Sequence, residues 1–121
     1  MMKNIILKTI LLLILTTSNV VAEVSIIETW ECAADKYSSN VLATAYVYKG
    51  RVAGHIKVAG VTHDAQFRTR GFDRRWNFGL NDDDKYYYAF VINPSGTAFY
   101  YDFTSAEKNV TPSINMICKM K

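Results

Sequence analysis

The chain has 121 residues and a formal net charge of +3, from 14 Lys+Arg against 11 Asp+Glu. Its length allows one domain, and no stretch reaches the roughly twenty apolar residues that cross a bilayer as a helix. Two of the basic residues, Lys3 and Lys8, lie in the first 22 positions; without that segment 12 basic residues stand against 11 acidic ones, and a net charge of +1 excludes the global basic field that draws in nucleic acid.

Met1 to Ala22 reads as a signal peptide. Lys3 and Lys8 form its basic start, Ile5 to Leu15 its apolar stretch, and Thr16 to Asn19 with Val20-Val21-Ala22 its polar, small-residue end. Cleavage after Ala22 leaves residues 23–121 as a single exported domain, periplasmic or secreted, whose cysteines meet an oxidising compartment. Cys32 and Cys118 are then expected to pair as a structural disulfide that closes nearly the whole domain into one loop. No His stands at a spacing from them that suggests zinc, and no metal or cofactor is implied.

The rest of the chain alternates with period two and is punctuated at hairpin spacing. Ser25 to Ala33 is the first strand. Val41 to Tyr48 and Arg51 to Val58 flank a Lys49-Gly50 turn, with Val47 expected opposite Val52 and Ala45 opposite Gly54. Ala59-Gly60 turns the chain into Val61 to Arg68, which puts His55 opposite Asp64. Arg70 to Arg75 reads as a bend, followed by a strand over Trp76 to Leu80 and a turn at Asn81 to Asp84. Lys85 to Ile92 and Thr97 to Phe103 flank Asn93-Pro94-Ser95-Gly96, pairing Phe90 with Phe99 and Tyr88 with Tyr101. Ser105 to Ser113 is loop and Ile114 to Lys119 the last strand. The sum is an all-β domain: a small antiparallel meander of seven or eight strands, curled or closed into a barrel, with one disulfide joining the end strands. Small inward residues (Ala43, Ala45, Gly54, Ala65) leave room for facing aromatics such as Trp76. At the level of architecture this resembles the small disulfide-closed β-barrels of the bacterial periplasm, some of which inhibit lysozyme; no functional motif carries the resemblance.

The chemistry-bearing residues are few. Thr44, His55 and Asp64 could form a line across three strands, but on an open sheet face with no oxyanion hole. His63 is a lone polar residue on an apolar face. Asp82-Asp83-Asp84 lacks the spacing, the Gly and the Glu of a calcium loop. Asn109-Val110-Thr111 is formally a glycosylation sequon. The sharpest feature is Arg68, Arg70, Arg74 and Arg75, four guanidiniums with only Asp73 to offset them, suited to carboxylates or an acidic surface. With Trp76, Tyr46 and Tyr48 they are the candidate partner-binding residues. The expectation is a non-enzymatic recognition protein that binds another protein, as an inhibitor, an immunity protein or a host-directed factor. The alternative is a small-ligand carrier with an aromatic pocket inside the barrel lined by Phe90, Phe99, Tyr88 and Tyr101.

Overall fold

A computed structural model describes residues 24–104 and 111–121. The expected signal peptide and most of the sequon lie outside the described residues. Eight strands follow in order: β1 Ile26–Ala33, β2 Val41–Tyr48, β3 Ala53–Val58, β4 Val61–Arg70, β5 Asp73–Leu80, β6 Tyr86–Ile92, β7 Thr97–Asp102 and β8 Ile114–Met120. Each pairs antiparallel with the next, and β8 pairs back onto β1, so the meander closes into a barrel. Closure removes the two edge strands that an open sheet would expose.

The turns explain where the strands reverse and why two registers differ from expectation. Ala59 and Gly60 both have positive φ (50° and 78°), the signature of a type I′ turn, and Val58 faces Val61 across it as expected. The Lys49-Gly50 turn is longer than two residues. Arg51 N–H donates to the Tyr48 carbonyl (3.0 Å), and Gly50 and Arg51 both take positive φ. The strand therefore resumes only at Ala53, and Val47 faces Gly54 in place of Val52. That shift is two residues, so each side chain keeps its face.

The β6–β7 hairpin differs by one residue, which changes the face. Gly96 N–H donates to the Asn93 carbonyl (3.0 Å), and Asn93 N–H donates to the Thr97 carbonyl (2.9 Å), with Gly96 at φ 89°. This is a three-residue loop with Gly in the bulge position. Phe90 consequently faces Tyr100 and Tyr88 faces Asp102. Tyr100 turns inward to pack on the core, while Phe99 and Tyr101 belong to the outer face.

The barrel axis is filled. Phe67, Trp76, Phe78 and Phe90 are buried beside Ala43, Ala45, Ala65 and Ile56. Trp76 spans the interior: its Nε1–H donates to the Tyr46 carbonyl (2.9 Å) directly over Gly54. A Cβ on Gly54 would collide with that carbonyl oxygen, so the small residue there is required by the close approach. Cys32 and Cys118 face each other across β1 and β8 and are joined by the disulfide, both within the core. The bond thus locks the seam at which the last strand meets the first.

Candidate functional site

The bend expected at Arg70 to Arg75 is a tight hairpin. Arg70 faces Asp73 across Gly71-Phe72, with Gly71 at φ 62°, and the ladder continues through Thr69–Arg74, Arg68–Arg75 and Phe67–Trp76. Regular pairing sorts the four arginines by face. Phe67 and Trp76 point inward, so Arg68, Arg70 and Arg75 share the outer face and Arg74 shares the inner one. Trp76 is 0 % exposed and is corrected from a contact residue to a core residue.

Arg74 meets Glu28, which stands outside every charged cluster and motif of the sequence. Glu28 is 6 % exposed and lies opposite Val47 on the inner face of β1. A bulge between Ile26 and Glu28 sets that phase, leaving Ile26 and Ile27 exposed and Glu28 turned in. Arg74 grips the carboxylate with two bonds, Nε to Oε1 (2.6 Å) and Nη2 to Oε2 (3.2 Å). Arg51 Nη1 donates to Oε2 (2.7 Å) and Trp30 Nε1–H to Oε1 (2.8 Å). The Arg74 guanidinium also lies 4.9 Å from the centre of the Trp30 ring. Burial pushes the Glu28 carboxyl up, but hydrogen bonds from Arg74, Trp30 and Arg51 and the Arg74 charge outweigh it and bring it down to about 2. The node plugs one end of the barrel with a satisfied ion cluster that ties β1, β5 and the β2–β3 turn together. Alternation could have revealed Glu28, because it occupies the same phase as Trp30 and Cys32 in β1.

On the outer wall, Arg68 and Arg75 stand directly opposite each other. Among the described residues neither forms a salt bridge; the three ion pairs there are Arg51–Glu28, Arg74–Glu28 and Lys121–Glu31. Arg75 Nε donates to Asn77 Oδ1 (2.8 Å), and Asn77 Nδ2 donates to Gln66 Oε1 (3.2 Å). Arg75 is thereby held along the wall with its terminal nitrogens unused in that chain of bonds. Tyr46 and Tyr48 lie further round the same wall on β2. The Tyr46 ring stacks on His55 at 4.1 Å, and the Tyr48 hydroxyl is 2.7 Å from His55 Nδ1. Burial lowers the His55 pKa against the opposing pull of Asp64, and burial, with the Asp64 charge, raises that of Tyr48.

His55 does face Asp64, but Thr44 faces Lys57 and Tyr46 faces His55. The longer β2–β3 turn has moved the hydroxyl out of the supposed nucleophilic line. His63 packs beside Phe78 with ring centres 5.2 Å apart. The proposed carrier lining is divided, since Phe90 is in the core and Phe99 and Tyr101 face outward. Among the described residues no cluster of three or more His, Cys, Asp or Glu side chains could hold a metal ion.

Comparison with protein-family models, with curated proteins and with solved structures finds no match.

Charge divides along the barrel axis. The end carrying the β2–β3, β4–β5 and β6–β7 turns has Lys49, Arg51, Arg68, Arg70, Arg74 and Arg75 against Glu28 and Asp73. The opposite end carries Asp35, Asp82, Asp83, Asp84 and Asp102 in or beside its loops against Lys36, Lys57 and Lys85, so its balance is acidic.

Proposed function

We infer that this is an exported, non-enzymatic recognition protein that binds another protein through the outer wall of β2 to β5. The observation that carries the reading is the Arg68–Arg75 pair. Like charges directly opposite on neighbouring strands disfavour the fold. A carboxylate from a partner would relieve that repulsion and be held by charge-assisted, bidentate hydrogen bonds. Asn77 keeps Arg75 pre-aligned, which reduces the side-chain ordering that binding requires. The stacked Tyr46–His55 pair and Tyr48 extend the wall with the aromatic surface that interfaces favour. Arg70 continues it toward the β4–β5 tip, whereas Arg74 and Trp76 support it from within. The partner is accordingly a protein with an acidic surface patch.

Capture with the purified protein from the envelope fraction and culture supernatant of its source cells tests this. Wild type is expected to retain a specific protein that Arg68→Ala/Arg75→Ala releases, with an unchanged melting temperature showing that the barrel is intact. Equal capture by both removes the β4–β5 wall as the site.

A further inference from the structure

The geometry points to a second surface: the basic end of the barrel is a docking face for an anionic lipid bilayer, with Phe72 as the inserted side chain. Phe72 is 83 % exposed at the tip of the β4–β5 hairpin, and Val52 is 71 % exposed in the neighbouring β2–β3 turn. Ile26 and Ile27, both more than 40 % exposed, lie at the same end, where β1 begins. Apolar tips held on closed hairpins present their area to a membrane at little conformational cost, because the backbone is already ordered by the barrel.

Exposed apolar residues alone do not select this end, since Tyr37, Val41, Val61, Leu80 and Ile114 are exposed at the other. Charge does. Phe72 stands two residues after Arg70 and next to Asp73, and Lys49 and Arg51 lie on the β2–β3 turn at the same end. The opposite rim carries Asp82-Asp83-Asp84, which an anionic surface repels. The axial charge separation therefore orients the barrel on a negative bilayer with the β4–β5 tip down. Insertion of aromatic and aliphatic tips beside basic residues is the combination that holds a protein on a bilayer without crossing it. Docked this way, the β2 to β5 wall stands above the surface and stays open to a partner in the same compartment.

Co-sedimentation of the purified protein with vesicles decides the matter. Binding is expected to phosphatidylcholine–phosphatidylglycerol vesicles at low salt, with loss in high salt, and not to phosphatidylcholine alone. Phe72→Ser should lower the bound-to-free ratio about tenfold or more, and Arg70→Gln about fivefold. Neither exposed substitution should alter thermal unfolding, while Asp83→Asn at the far end should not weaken binding. A Phe72→Trp variant should shift its emission to the blue when the anionic vesicles are added. Absence of binding to those vesicles, wild-type binding by Phe72→Ser, or an unmoved Phe72→Trp emission each overturns the proposal. If Phe72→Ser instead abolishes capture of a protein and the vesicles are not bound, the tip belongs to a protein interface. Failure here leaves the wall reading intact, because that reading is scored by Arg68→Ala/Arg75→Ala in the absence of lipid.

Discussion

Replacing Glu28 by Gln should remove a large share of the stability of the barrel, by an amount that depends on pH. The Glu28 carboxyl has an ordinary value of 4.5 and stands at about 2 in the folded protein. At 1.36 kcal/mol per pH unit, that difference corresponds to about 3 kcal/mol of stability from the ionised form. The direction follows from the lowered value. The contribution is complete above about 4.5, where the unfolded chain is also ionised, and is lost as pH falls toward about 2. Arg74 is its leading source, with a side chain only 26 % exposed and two bonds to the carboxylate. Arg51 is 53 % exposed, so water screens its share. Urea unfolding of wild type and Glu28→Gln, followed by circular dichroism from pH 7 down to pH 2, measures the difference directly. Wild type should exceed the variant by about 3 kcal/mol at neutral pH, or roughly 10–20 °C in melting temperature. The gap should narrow through the acid range and close near its bottom. A gap below about 0.5 kcal/mol at neutral pH, or one that stays constant down to acid pH, would refute the reasoning, since single surface changes reach that size without any buried ion pair.

Gly54→Ala should cost about 3 kcal/mol or prevent folding, because its methyl has no room between the Tyr46 carbonyl and the Trp76 indole; an unchanged urea midpoint would show that β2 and β3 can separate freely there. Cys32→Ala/Cys118→Ala, or reduction, should lower stability by about 4 kcal/mol, given the 86-residue separation of the linked cysteines. Identical unfolding curves with and without reductant would contradict this. His55 should titrate below the ordinary histidine value in an NMR pH series, since burial lowers it. Its neutral form then stabilises the fold fully above about pH 6.5 and less as pH falls toward the folded value. A titration at or above the ordinary value would mean that Asp64, not burial, dominates.

Much of the barrel was legible because side chains in a strand alternate with a fixed period, so each strand carries its own record of which face is buried. Val41–Tyr48 stands as its alternation indicates, and Val61 to Phe67 keeps its apolar side inward. The pairing of Cys32 with Cys118 followed from their number and from the expected export. The candidate site was less legible. Arg68, Arg70, Arg74 and Arg75 form a single cluster in the linear order, yet the Gly71-Phe72 turn continues the ladder and sends Arg74 to the opposite face from the rest.

The sequence by itself determined that the domain is all-β, the order of its strands and, within most of them, which residues share a face, because those properties depend on local alternation and turn chemistry. Tertiary structure alone decided what each face meets. The positive φ of Gly96 places it in a three-residue loop and so turns Tyr100 inward, and one residue of register is enough to exchange the faces. Glu28 and Arg74 lie 46 positions apart, and only closure of the barrel brings them to 2.6 Å. No local pattern encodes that distance, since it depends on the summed twist and stagger of all eight strands.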